Sequence, residues 1–149
     1  MALPVYWNGD ILPASRAAVP VDDLGWLLGL GAFETMRAYD GRIFRLHNHL
    51  SRLFSTLEWL EVELTETADQ LAEVAHELVV RSGLMEARVR LTVSAGAAAE
   101  GGHGEPNRLI TVAPVDPPPD GSYRDGISAT RYELPFGLGP FAGRKVTSY

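Results

Sequence analysis

Phe33-Glu34-Thr35-Met36-Arg37-Ala38-Tyr39-Asp40-Gly41-Arg42-Ile43-Phe44-Arg45-Leu46 decides the architecture. Phe33 to Tyr39 and Arg42 to Leu46 suit strands. Asp40-Gly41 between them accepts positive φ at both positions, so the stretch predicts a hairpin. Beyond it, Leu46, Leu50, Leu53, Leu57 and Leu60 recur at three- and four-residue steps, giving one apolar face to a helix that begins near His47. Arg52 lies beside that stripe. A hairpin running into an amphipathic helix calls for a mixed sheet-and-helix fold of the α/β (α+β) class.

Upstream, Val5-Tyr6-Trp7, Asn8-Gly9-Asp10 and Ile11-Leu12-Pro13 read as two short strands joined tightly. Residues 25–33 mix bulky apolar groups with Gly25, Gly29 and Gly31, so the backbone there turns sharply or lies against something, as a packing device or a ligand wall. Downstream, Thr67 and Gln70 form a capping box for a second helix whose apolar face is Leu71, Val74, Ala75, Leu78 and Val79 and which ends at Gly83. Ala87 to Ser94 alternates apolar with polar residues as a half-exposed strand, and Arg108 to Ala113 reads as its partner. The glycine-rich loop from Gly96 to Asn107 between them is expected to be mobile.

The proline-rich run 114–121 can extend neither sheet nor helix and reads as an interdomain linker. It separates an N-terminal domain over 1–113 from the segment 122–149. That last segment holds one candidate strand, Ile127 to Leu134, and too little apolar surface to fold alone, so it reads as the start of an incomplete second domain.

Of the 149 residues 46% are hydrophobic, enough for a genuine core. A formal net charge of -6 without any basic run excludes the electrostatic footprint of nucleic-acid or anionic-membrane binding. Without cysteine there is no disulfide framework, thiolate metal site or cysteine nucleophile. No apolar run is long enough to span a bilayer and the N-terminus is not a signal peptide, so the expectation is a soluble, cytoplasmic protein. His47 and His49 are two apart on a helix and do not face each other, which argues against a metal site. Glu34 and Thr35 form no paired-carboxylate or nucleophile arrangement.

The blocks Gly29-Leu30-Gly31-Ala32-Phe33-Glu34-Thr35-Met36-Arg37, Asp40-Gly41, Phe44-Arg45-Leu46-His47-Asn48-His49-Leu50-Ser51-Arg52-Leu53 and Lys145-Val146-Thr147-Ser148-Tyr149 resemble, in order and spacing, the class IV aminotransferases, the fold type IV enzymes that use pyridoxal 5'-phosphate. That family includes branched-chain and D-amino-acid aminotransferases and aminodeoxychorismate lyase. The resemblance implies the N-terminal sheet-and-two-helix domain of such an enzyme plus the first strand of a C-terminal domain that stops just after the cofactor-bearing lysine. The missing part would follow in a longer chain or come from another chain.

From the helix pattern alone Arg52 reads as an arginine solvating the polar side, and Lys145 as a surface lysine near a terminus. The resemblance assigns Arg52 to the cofactor phosphate, for which a guanidinium fork is well matched. Lys145 it makes both the covalent anchor of pyridoxal phosphate and the group that moves the Cα proton. Such an amine attacks only when unprotonated, which calls for burial or a neighbouring positive charge. Phe33, Arg37 and Tyr149 become substrate-pocket residues by the same resemblance. Two departures concern the substrate: Asp23-Leu24-Gly25 stands where relatives have Asp-Arg-Gly, and the arginine that grips the substrate carboxylate in D-amino-acid enzymes aligns near Ala95. The implied activity is amino-group transfer between an amino acid and a 2-oxo acid by a homodimer, with this chain inactive alone. The alternatives are a lyase of the aminodeoxychorismate type and a non-catalytic domain that binds a complementary chain.

Overall fold

The computed structural model describes residues 3–131, 139 and 143–148. β1 (Pro4–Trp7) and β2 (Asp10–Pro13) pair through a turn in which Asn8 and Gly9 take φ of 48° and 109°. A short helix, α1 (Leu24–Leu28), then leads into β3 (Gly31–Tyr39). The expected hairpin forms at Asp40 and Gly41, with φ of 48° and 73°, but its second strand, β4, is only Arg42–Ile43. Arg45 in the left-handed region (φ 51°) breaks the extended run predicted to reach Leu46 and starts α2 (Leu46–Trp59).

The second helix, α3 (Ala68–Ser82), carries the predicted capping box: Gln70 N–H donates to Thr67 Oγ1 at 3.2 Å, and Thr67 N–H donates to Gln70 Oε1 at 2.8 Å. Gly83, at φ 67°, ends it. β5 (Ala87–Ser94) and β8 (Asn107–Pro114) pair as expected. The loop between them folds on itself as β6 (Ala98–Ala99) and β7 (Gly102–His103). It is tied to the body where His103 Nε2 meets Glu61 O at 2.8 Å and Leu24 N–H donates to Gly96 O at 2.7 Å, so it is better anchored than its glycine content predicts.

β8 takes in Pro114, residues 115–119 have no regular structure, and α4 (Asp120–Asp125) begins inside the proline-rich run. Ile127 to Arg131 form no strand, contrary to the strand expected over Ile127–Leu134. Their apolar alternation finds no neighbouring strand to pair with, and residues 132–134 lie outside the described residues.

The six-stranded antiparallel sheet has the order β2-β1-β8-β5-β3-β4. Its register puts Tyr6, Ile110, Leu91 and Glu34 across one face, with Val112, Val89 and Met36 one row along. α2 and α3 cover that face with Leu50, Leu53, Leu57, Leu71 and Leu78, all fully buried. Each such leucine contributes about 2 kcal/mol relative to an exposed one. Arg108, on the same face, pairs with Glu66 at 2.9 Å, and Tyr6 donates to the same carboxylate oxygen at 2.7 Å. Burial, followed by that hydrogen bond, pushes the Tyr6 hydroxyl up to about 12. The opposite face carries Trp7, Leu109, Thr92, Arg90, Phe33 and Arg37, with no helix of comparable length over it among the described residues.

Candidate functional site

β3 has β5 on one side from Gly31 to Ala38, but β4 covers only Ala38 and Tyr39 on the other. The opposite end of that free edge is taken by the segment around Lys145. Phe33 N–H donates to Lys145 O at 3.0 Å, Thr147 N–H donates to Gly31 O at 2.9 Å, and Ala32 and Val146 form an antiparallel bridge. Thr147 Oγ1 also donates to Gly29 O at 2.7 Å. Glycines make this approach possible: a Cβ on Gly29 would lie 2.6 Å from Ser148 Cβ, and one on Gly31 would run into the Val93 carbonyl oxygen. The glycine run is therefore a packing device for the lysine segment.

Alternation along that segment fixes the directions of its side chains. Val146 sits with Ala32 and is buried. Arg144 turns to α2, donating from Nη1 to Ser55 O at 3.2 Å and stacking 4.7 Å from the Trp59 ring, so it does not accompany Lys145. Lys145 lies on the Phe33 side, its Nζ 5.0 Å from the ring centroid, while the Arg90 guanidinium stacks on the same ring at 3.9 Å. Arg90 escaped the sequence reading because β5 offers Arg88 and Arg90 at equivalent polar positions. Only the register, Phe33 against Thr92 and Thr35 against Arg90, tells them apart.

Glu34, adjacent to Phe33, points to the other face and is completely buried. Arg52, half exposed on α2, grips it with Nε on Oε1 and Nη2 on Oε2, both at 2.6 Å, and His49 Nδ1 lies 2.7 Å from Oε2. Burial by itself would raise the Glu34 carboxyl. The hydrogen bonds from Arg52 and His49 and the positive charges of Arg52 and Lys145 outweigh it and hold the group below its ordinary value. Arg52 thus holds this carboxylate directly, while Lys145 reaches it only through its charge. Arg45, Asn48, His49 and Arg52 line a recess of about 200 Å³ beside it.

Arg37 stands apart. Four residues beyond Phe33, about 13 Å along the strand, it pairs with Glu86 at 2.8 Å and stacks on Tyr39 at 4.6 Å. Tyr149 lies outside the described residues. Ala95 is fully buried and donates its N–H to Leu30 O at 3.0 Å, so that position offers nothing to a substrate. Asp23 was noted in the sequence only as part of a departure from the family pattern. It is completely buried and accepts from Ser94 Oγ at 2.5 Å, Asn107 Nδ2 at 2.6 Å and Trp26 N–H at 2.9 Å, capping α1 and joining it to β5 and β8.

Asp23 is held low in the same way as Glu34: burial opposes ionisation, and the hydrogen bonds from Ser94, Asn107 and two backbone N–H groups prevail. Both carboxyls titrate lower folded than unfolded. Their stabilisation is therefore full above the unfolded value near 4 and is lost as pH falls through the folded values. Urea unfolding is expected to show a plateau above about pH 5 and a decline below about pH 4. Asp23→Asn should lower the plateau by about 1–2 kcal/mol and make the acid decline shallower. An unchanged acid limb would mean that this carboxyl is not linked to folding.

The family model described as amino-transferase class IV matches residues 31–139. The chain is 35% identical over 99 residues to the aminodeoxychorismate lyase of Bacillus subtilis (strain 168), covering 65% of this chain and 34% of that protein. It is 27% identical to a D-alanine aminotransferase of Staphylococcus epidermidis, covering 76% of this chain and 38% of the other. Among solved structures it resembles the PLP-bound form of a hypothetical aminotransferase from Mycobacterium tuberculosis, with a TM-score of 0.65 and 27% identity, covering 76% of this chain and 40% of that one. The chain spans about 41% of the length of the curated relatives it matches, or less. The family model, matched over most of the sequence, leads to one conclusion: this chain belongs to the class IV aminotransferase family.

Proposed function

We propose that this chain supplies the N-terminal half of a pyridoxal-phosphate site that transfers an amino group between an amino acid and a 2-oxo acid. The observation that carries the reading is Lys145, bonded through its backbone to the edge of β3, with its amine over Phe33 and with Arg52 one carboxylate away. The residues fit the cofactor by their chemistry: an amine for an aldehyde, a guanidinium with a free N–H edge for a phosphate, and glycines that let the lysine segment lie close. Pyridoxal phosphate supplies an electron sink for the charge left at Cα of an amino acid.

In this reading Lys145 Nζ is the point of covalent attachment and then the base that takes the Cα proton and returns it. Arg52 binds the phosphate through the N–H groups that Glu34 leaves free. Phe33 walls one side of the site, and Arg90, stacked on the same ring, presents a cation suited to a substrate carboxylate. Tyr149 is a further pocket residue in this reading, and Arg37, held by Glu86 farther along β3, would join it only by exchanging that partner. A division into 1–113, a linker over 114–121 and the start of a cofactor domain over 122–149 belongs to the same reading. So does a homodimer or a complementary chain that brings the remaining half of the site.

The likeness to aminodeoxychorismate lyase favours a second reading, elimination on the same scaffold. The protein, joined to its complementary half and given cofactor, a labelled amino acid and a 2-oxo acid, is expected to pass label to the oxo acid. Pyruvate release from aminodeoxychorismate without exchange of label would replace transamination by elimination.

A further inference from the structure

Lys145 is the first residue of its segment bonded through the backbone to β3, and that bond is made by its carbonyl oxygen, which accepts from Phe33 N–H at 3.0 Å. Two residues earlier stands Gly143, exposed, at φ 76° and with no side chain to anchor the approach. Among residues 143–148, the tether on the N-terminal side of Lys145 is therefore the Arg144 side chain. Its guanidinium stacks 4.7 Å from the Trp59 ring centroid and donates from Nη1 to Ser55 O at 3.2 Å. A guanidinium that is stacked on a ring and also hydrogen-bonded at its edge is fixed in both distance and tilt. Both partners sit on α2, the helix that carries Arg52. Arg52, Ser55 and Trp59 follow at three- and four-residue steps and share one helix face, with Ser55 about 4.5 Å along the axis from Arg52. Arg52 in turn returns to β3 through two bonds of 2.6 Å to Glu34. The result is a closed frame: β3 to the lysine segment, Arg144 to α2, and Arg52 back to β3.

We propose that Arg144 is a positioning residue that sets the separation between the Lys145 amine and the Arg52 guanidinium, so that one ligand can engage both. The inference rests on the reading of Lys145 as the cofactor anchor and Arg52 as the phosphate ligand. Arg144 itself touches neither the cofactor nor the reacting atoms. Its effect is confined to ligands that span both groups, for which the second contact is intramolecular and depends on whether the span matches. A ligand that meets the amine alone gains nothing from the frame.

Two probes separate these cases: pyridoxal 5'-phosphate carries an aldehyde and a phosphate, and pyridoxal carries the aldehyde alone. Lys145 is the only lysine of the chain, so label fixed there by borohydride, located by mass spectrometry and titrated against each compound, reports the two affinities. The full chain is expected to prefer the phosphorylated compound by about tenfold or more. Arg144→Ala should cut that preference to within about threefold, while labelling by pyridoxal stays within about twofold of the parent and the circular dichroism is unchanged. Trp59→Leu should lower the preference in the same direction, and Trp59→Phe, which keeps a ring under the guanidinium, should restore it. The double variant Arg144→Ala, Trp59→Leu should fall no further than Arg144→Ala alone. An undiminished preference in Arg144→Ala, or labelling by pyridoxal that drops as far as labelling by the phosphate, overturns the role of Arg144 and leaves the proposed function intact. Equal labelling of the parent by both compounds overturns the phosphate role of Arg52 and the positioning role with it.

Discussion

Lys145→Ala is expected to abolish borohydride-fixed labelling of the chain by pyridoxal phosphate and to lower amino-group transfer by the assembled enzyme by about 10³-fold or more, because in the proposed function one amine serves as both anchor and proton carrier. The backbone of residue 145, not its side chain, makes the contacts with β3, so the substitution leaves Phe33 N–H to O, the Ala32–Val146 bridge and Thr147 N–H to Gly31 O in place. Stability should change by less than about 0.5 kcal/mol, which separates loss of chemistry from loss of fold. Lys145 is the only lysine of the chain, so stoichiometric labelling that persists in the Lys145→Ala chain, or activity within tenfold of the parent, would remove Lys145 from the proposed role.

Gly31→Ala tests the ground on which that amine stands. Here the obstacle to a methyl group is backbone, the Val93 carbonyl oxygen on the paired strand, with the Ser94 Cα at 3.1 Å and Thr147 Oγ1 at 3.2 Å on either side. Neither rotamer changes nor a shift of one side chain can relieve it, so β3 must part from β5 or from the lysine segment. A cost of about 3 kcal/mol is expected, read as a fall of about 6–12 °C in melting temperature for a chain of this size. Gly121→Ala is the control. Gly121 lies in the first turn of α4 with its nearest neighbour at 3.5 Å, and the same methyl should be neutral there within about 0.5 kcal/mol. Equal melting temperatures for the two variants would show that the close packing at Gly31 is dispensable.

What the sequence made legible were the features whose causes are local. Asp40-Gly41, the leucine spacing of α2 and the Thr67–Gln70 box each need only a few consecutive residues to act, and each formed as read. α1 was not foreseen as a helix: five residues rich in bulky groups and glycine carry no period, and it stands because Asp23 caps it from a buried position. β4 was overestimated for a similar reason, since nothing in Phe44-Arg45 announces that Arg45 adopts a left-handed backbone. Glu34 was passed over as a carboxylate without a partner. Its partners, His49 and Arg52, sit on a helix 15 and 18 residues later, and a one-dimensional reading has no means of turning that helix toward β3. Lys145 and Arg52 were singled out by resemblance; the buried carboxylate that holds Arg52 came only from the structure.

The attachment of Lys145 to β3 also orders events in time. Phe33 leaves the ribosome 112 residues before Lys145, an interval of about 10 s at ordinary rates of synthesis. Over that interval the hairpin, both long helices and β8 can assemble from neighbouring parts, while the Gly31–Phe33 edge stays open to any passing strand. The newborn sheet is thus most exposed to mispairing at the place where it later receives the Lys145 segment, and a chaperone that shields one edge of a half-made sheet would find its client there.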